Sequence, residues 1–203
     1  MRLSDSIQSR AVCVALVVNS FVTFVAVGIA AWLAVRPAHE CPTVRVVEVE
    51  PSVLTLTPGP QWASSVRAFS SEYTTSAWSA QQALGAPNVY PRSGDIDAAW
   101  ASREPDASTE FIELGFAQPQ RASALEIYET FNPGAIKHVE LITEQGEHLV
   151  VPRRELRPNG GAAVSNFVTK CTTQRIVAAR FVVDSANVAG WNEVDAVGLL
   201  PCP

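Results

Sequence analysis

The feature that most constrains this chain is an uncharged hydrophobic segment near its start. Residues 11–35 carry no charged side chain, and only Asn19, Ser20 and Thr23 are clearly polar. A helix rises about 1.5 Å per residue, so this length spans the roughly 30 Å hydrocarbon core of a bilayer. A helix that is hydrophobic all round has no place in a small soluble domain. The segment therefore predicts a transmembrane helix.

A cleaved signal peptide is the alternative interpretation of this segment. Its apolar stretch exceeds the roughly 7–15 residues of a signal-peptide core, and residues 32–37 contain no good small-residue cleavage site. The residues just before Cys41 also lack the apolar and small side chains of a lipoprotein cleavage box. We therefore favour an uncleaved anchor, with cleavage as the open alternative.

A proline-rich stretch follows the hydrophobic segment. Pro-rich spacers are extended and semi-rigid, which favours a stem, although residues 43–50 partly alternate and are compatible with a short edge strand. The expected organisation is a cytoplasmic tail at 1–10, a transmembrane helix at 11–35, a stem at 36–60 and a globular domain at 61–203.

The globular part reads as a series of short strands separated by turns. Apolar residues alternate or cluster over 110–116, 123–130, 139–143, 148–151, 176–183 and 194–200. Turn residues recur between these runs, as at 132–134 and 159–161, and only 79–84 favours a short helical turn. Many short strands with little helix predict a β-sandwich or barrel.

Signals for catalysis are poor. The three histidines (His39, His138 and His148) have no metal-ligand spacing, and no serine lies in a nucleophile-elbow motif. Carboxylates three residues apart on a strand, such as Glu126 and Glu129, point to opposite faces and make a poor acid–base pair. The net charge of -5 has no basic stripe, which argues against nucleic acid as a partner. A binding protein that is not an enzyme is the expectation.

The cysteines suggest one disulfide. Cys171 precedes a predicted strand and Cys202 follows the last one, so we prefer this pair, which meets at one end of a sandwich. Cys41 is the alternative partner for Cys202, or it forms an intermolecular bond in the stem and makes a homodimer. Cys13 lies within the hydrophobic segment.

Two segments are more distinctive than the rest of the sequence. Residues 73–102 place Trp78 and Trp100 on either side of a loop rich in Gly, Pro and Asp, and residues 190–199 set Trp191 beside carboxylates and a terminal strand. With residues 110–114 and 127–134, these segments resemble the discoidin-like, galactose-binding-like domains related to the C-type domains of coagulation factors. Among these domains, the sequence is most similar to the variant in pappalysins and an F-box/leucine-rich-repeat protein. The resemblance covers residues 63–200.

This resemblance implies an all-β fold, an eight-stranded jelly-roll sandwich, and a binding module. Such domains often hold a structural Ca²⁺, which requires six to eight oxygen ligands. The implied calcium ligands are Asp95, Ser102 and Glu193, with Asp97 a weaker candidate. The alternative is that Asp95 is a turn residue and that Glu193 caps a strand or pairs with an arginine.

Sugar-binding members of this superfamily stack exposed aromatic side chains on a pyranose. The candidates for ligand contact are Tyr73, Tyr90, Arg92, Tyr128, Asn132 and Trp191. Trp78 and Trp100 are interpreted instead as residues of the core.

The expected function is therefore an anchored module that binds a carbohydrate or glycan. The alternative is a protein-interaction or assembly module at the cell envelope. A disulfide-bonded binding domain belongs outside the cytoplasm, which places the N-terminus inside. The charges that flank residues 11–35 do not decide this orientation.

Overall fold

The computed structural model describes residues 59–106 and 109–203. The predicted transmembrane helix at 11–35 and most of the stem lie outside the described residues, as does Cys41. Within the described part, no helix is long and apolar enough to cross a membrane.

The described residues form an all-β fold of nine antiparallel strands. The strands are β1 (Gln61–Phe69), β2 (Thr109–Gln120), β3 (Ala122–Phe131), β4 (Ile136–Thr143), β5 (His148–Pro152), β6 (Glu155–Asn159), β7 (Ala162–Val168), β8 (Ile176–Asp184) and β9 (Glu193–Pro201). Short 3₁₀ turns occupy Ala80–Ala83 and Ser185–Asn187.

The nine strands curl into a sandwich because β1 belongs to both of its sheets. The first two residues of β1 pair with β9, and the rest of the strand pairs with β2 across two register shifts. The resulting order is β5-β4-β8-β2-β1-β9-β3-β7-β6. The sandwich prediction is confirmed, although the strand count is nine where eight were expected.

The core lies between the two sheets. Trp100, Phe167 and Phe181 are fully buried, and the rings of Trp100 and Phe181 meet edge to face at 6.1 Å. The backbone of Trp100 bonds to that of Val194 in both directions, with N to O distances of 2.8 and 3.0 Å. The prediction that Trp100 belongs to the core is confirmed, and this tryptophan ties the β1–β2 connection to the start of β9.

The predicted disulfide between Cys171 and Cys202 is present. Cys171 lies in the β7–β8 connection and Cys202 directly follows β9, as the strand pattern indicated. The bond therefore closes one end of the sandwich.

Candidate functional site

One end of the sandwich carries a site that is built from three separate chain segments. Hydrogen bonds run from the Tyr73 amide to the Ala101 carbonyl (3.0 Å) and from the Trp78 amide to the Asp97 carbonyl (2.9 Å). These bonds hold residues 73–78 against residues 95–101. The pairing of Trp100 with Val194 brings the start of β9 to the same place. The long β1–β2 connection is thus fixed to the end of the last strand.

A pocket opens where these segments meet. It is lined by Tyr73, Trp78, Asp95, Ala101, Trp191 and Glu193, and its volume is about 60 Å³. One water molecule needs about 10–15 Å³ in this measure, so the pocket holds a few water molecules or one small substituent of a ligand. The pocket is open to solvent, so a larger ligand can insert one substituent and leave the rest at the rim.

Aromatic rings form the walls of the pocket. The Tyr73 ring centroid lies 5.3 Å from that of Trp78 and 5.8 Å from that of Trp191, with interplanar angles of 77° and 89°. The Tyr73 side chain is well exposed, at 46 %. These distances and angles are those of edge-to-face contacts between neighbouring rings, so the three side chains support one another as one aromatic wall of the pocket.

Two carboxylates complete the pocket. Glu193 is only 1 % exposed, and its two oxygens accept hydrogen bonds from Trp78 Nε1 (3.1 Å) and from the Ile96 amide (3.2 Å). Burial and the adjacent Asp95 carboxylate, which shares a hydrogen bond with Glu193, raise the pKa of Glu193 to about 8. Asp95 itself is exposed.

The raised pKa of Glu193 predicts a pH-dependent stability. The folded protein keeps a proton on Glu193 that the unfolded chain loses near its ordinary pKa of 4.5. This contribution to the free energy of unfolding is complete below that value. It is lost as pH rises toward about 8, at up to about 1.4 kcal/mol per pH unit. Urea unfolding across this range, with a chelator present, measures this effect. As pH rises, the free energy of unfolding of Glu193→Gln should increase relative to that of the wild type.

Asp95→Asn is the matched variant for this measurement. It removes the neighbouring charge while keeping the side-chain size, so the fall in stability with pH should become shallower than in the wild type. Parallel pH profiles for the wild type and for Glu193→Gln would contradict the assigned environment of Glu193.

Trp78 is a site residue that the sequence interpretation missed. It was expected in the core, but it is partly exposed, lines the pocket and donates its indole N–H to Glu193. Its φ of 50° lies in the left-handed region, which is unfavourable for a bulky residue. Hydrophobicity does not distinguish a core tryptophan from one that lines a pocket, so no pattern in the sequence indicated this role.

Four of the six predicted ligand residues fall into two groups. Tyr73 and Trp191 line the pocket. Tyr90 and Tyr128 instead belong to a second aromatic group, in which their ring centroids are 5.1 Å apart and Tyr128 also contacts Trp62 at 5.5 Å. In that group Tyr128 lies beside Glu126, and burial together with this carboxylate raises the pKa of Tyr128 to about 12. Arg92 is exposed and does not line the pocket.

Asn132 supports the pocket from behind. Its Nδ2 donates to the Trp191 carbonyl at 2.9 Å, and its own carbonyl accepts from Asn192 at 2.8 Å. The Trp191 indole N–H in turn donates to the Ser102 carbonyl at 3.1 Å. The position of the Trp191 ring is thus fixed from two sides.

A second carboxylate on β9 organises the neighbouring loop. Asp195 is 1 % exposed and accepts hydrogen bonds from the amides of Asn88 (3.2 Å), Val89 (3.1 Å) and Tyr90 (2.8 Å). A carboxylate with several backbone N–H donors is a strong local tether. Asp195 therefore holds the loop that leads toward Asp95.

The implied calcium ligands come together only in part. Asp95 and Glu193 share the pocket, but Ser102 does not line it, and its hydroxyl donates to the Glu104 carbonyl at 2.9 Å. Both oxygens of Glu193 already accept hydrogen bonds from the protein. Within the described ranges, no cluster of three or more His, Cys, Asp or Glu side chains is arranged for a metal ion. Asp95, Ser102 and Glu193 do not fit one calcium ion as a set, and calcium binding stays a prediction.

Two solved structures share the fold. One is the family 32 carbohydrate-binding module from Streptococcus pneumoniae EndoD, at 11 % identity and a TM-score of 0.53, covering 71 % of this chain and 100 % of the module. The other is reduced XRCC1 bound to the DNA polymerase beta catalytic domain, at 13 % identity and a TM-score of 0.54, covering 72 % of this chain and 100 % of that one. Identities this low establish the fold alone. Among curated proteins, none matches the chain closely enough to count as a relative.

The family is shown by a match to a sequence model. The model described as "Pappalysin-1, SD scarf domain, C-terminal" matches residues 58–202, which include all nine strands and every residue of the pocket. The discoidin-like, galactose-binding-like resemblance is thereby confirmed, and this chain belongs to the pappalysin-1 SD scarf domain family.

Proposed function

We propose that this chain is a non-catalytic glycan-binding module, held at the membrane by its N-terminal helix with the sandwich outside the cytoplasm. The observation that carries the proposal is the pocket of Tyr73, Trp78 and Trp191 with Asp95 and Glu193. It joins exposed aromatic surface to oriented hydrogen-bond acceptors at the loop end of a rigid scaffold.

Sugars suit this combination of groups. The C–H face of a pyranose packs on aromatic rings, and its hydroxyls donate hydrogen bonds to carboxylates. Tyr73 offers an exposed ring at the rim, and Asp95 offers an exposed carboxylate beside it. A pocket of about 60 Å³ takes one substituent of the sugar while the ring rests on the rim.

The fold supports a binding role without specifying the ligand. A carbohydrate-binding module has the same architecture, and the family match covers the whole sandwich. Since one fold hosts many functions, the ligand has to be argued from the pocket.

The cellular placement rests on two other features. The disulfide between Cys171 and Cys202 supports an oxidising compartment for the sandwich. The uncharged segment at 11–35 supports a membrane anchor. With the disulfide-bonded sandwich outside the cytoplasm, the N-terminus of this anchor lies inside. Cys41, between anchor and domain, is the proposed site of a disulfide-linked homodimer, which a non-reducing gel with Cys41→Ser as control tests.

The function is tested by titrating the protein with soluble glycans and following tryptophan fluorescence, because two indoles line the pocket. Tyr73→Ala is expected to weaken binding at least tenfold, about 1.4 kcal/mol. The substitution removes an exposed aromatic ring that would contact the ligand, and this ring is not part of the buried core.

Phe69→Ala is the matched control for this experiment. Phe69 is also an exposed aromatic, at 40 %, but it lies at the end of β1 and outside the pocket. Its removal should leave the affinity unchanged. Binding that survives Tyr73→Ala and is lost in Tyr90→Ala would assign the glycan to the second aromatic group. Absence of binding to any glycan would overturn the proposal in favour of a protein-interaction module.

A further inference from the structure

Three aromatic side chains, Tyr73, Trp78 and Trp191, line the pocket, and we call this set the aromatic cage. Tyr73 contacts both indoles edge to face, with centroid distances of 5.3 and 5.8 Å. Aromatic faces carry partial negative charge, so a pocket lined by several rings favours a cation. This attraction acts on ammonium groups.

The charge of the pocket agrees with its shape. Its lining includes the carboxylates of Asp95 and Glu193 and no Lys, Arg or His side chain of the described residues. An uncharged ligand would leave the Asp95 carboxylate without a positive partner. A positively charged group would interact favourably with Asp95 and with the rings.

The cage is held in place before any ligand arrives. Trp78 donates to Glu193 at 3.1 Å, and its backbone is fixed by a bond to Asp97 at 2.9 Å. Trp191 is fixed through its indole N–H and its carbonyl, as described above. Because the walls are already ordered, little conformational entropy is lost when a ligand binds.

The size of the pocket limits which cation fits. A volume of about 60 Å³ holds an ammonium group on a short substituent. A sugar that rests on the Tyr73 ring at the rim would therefore have to carry its charge on such a substituent.

We propose that the cage selects glycans with a free amino group, a hexosamine whose protonated amine enters the pocket beside the rings and reaches the Asp95 carboxylate. This inference rests on the proposed glycan-binding function and names its substrate class. An N-acetyl group in the same place is uncharged and bulkier, so N-acetylated sugars should be discriminated against.

The test compares matched sugars near neutral pH: glucosamine and galactosamine, their N-acetyl derivatives, and glucose and galactose. Affinities are measured calorimetrically in a chelating buffer. At least one amino sugar is expected to bind ten times more tightly than both its N-acetylated and its neutral counterpart.

Asp95→Asn provides the charge test at constant shape. The side chain is exposed, so the variant should fold, and the preference for the amino sugar should fall about tenfold. Glu104→Gln is the control, since Glu104 is an exposed carboxylate on a neighbouring loop and does not line the pocket. It should keep the preference of the wild type.

The other outcomes separate the two proposals. Equal binding of amino, N-acetylated and neutral sugars would overturn the amine preference and leave the glycan-binding function standing. If the protein binds neither these sugars nor any larger glycan, both proposals are overturned. Calcium that displaces glucosamine when the chelator is omitted, and that raises the melting temperature by itself, would assign the carboxylates to a metal and overturn the cage.

Discussion

Replacing Cys171 and Cys202 together by serine is expected to lower the free energy of unfolding by about 3–4 kcal/mol. The two cysteines are 31 residues apart, and the bond removes the loop-closure entropy of a chain of that length from the unfolded state. Urea unfolding of the oxidised wild type and of the double variant measures the difference. The wild type in reductant should behave like the variant.

The disulfide variant should still fold, because backbone contacts hold both ends in register. The Thr172 amide donates to the Ala122 carbonyl at 2.9 Å, and the Cys202 amide donates to the Arg121 carbonyl at 3.2 Å. A loss below about 1 kcal/mol would contradict the loop-entropy account. It would mean that the unfolded chain is already restricted in this region without the bond, so that the cross-link removes little entropy from it.

Asp195→Ala is expected to lower the free energy of unfolding by about 3 kcal/mol, since three backbone amides lose one buried acceptor. These are the amides of Asn88, Val89 and Tyr90, at 2.8 to 3.2 Å. Alanine leaves them facing a cavity where the carboxylate stood. Thermal and urea unfolding both measure the change.

Asp195→Asn is the control for this variant. Asparagine keeps the size of the side chain and one acceptor oxygen but loses the negative charge, so its effect should be distinctly smaller. Equal destabilisation by Ala and Asn would contradict this expectation and show that one remaining acceptor oxygen does not hold the loop. If Asp195→Ala leaves the free energy of unfolding unchanged, Asp195 does not hold this loop.

The sequence predicted the strands whose two faces differ. Alternation over 123–130 matches β3, and the apolar runs at 139–143 and 148–151 match β4 and β5, which pair with each other. Strand β1 was missed because its pairing shifts register twice, which breaks the alternation of buried and exposed residues. Strand β6 was missed because its residues are mostly exposed and include Pro158.

The site was predictable in its position and only partly in its members. The sequence pattern of a tryptophan next to carboxylates singled out Trp191 and Glu193, and both residues line the pocket. Tyr73 joins them across 118 residues of sequence through a backbone bond to Ala101. Local patterns do not report such long-range contacts, nor the left-handed backbone that turns Trp78 toward Glu193.

The central claim is that the loop-end pocket binds glycan. The most direct measurement is a glycan array probed in parallel with the wild type and with Trp191→Ala, after both are shown to melt cooperatively. The wild type is expected to retain a defined set of glycans, and the variant is expected to lose the same set. Identical retention by both proteins, or none by the wild type, would contradict it.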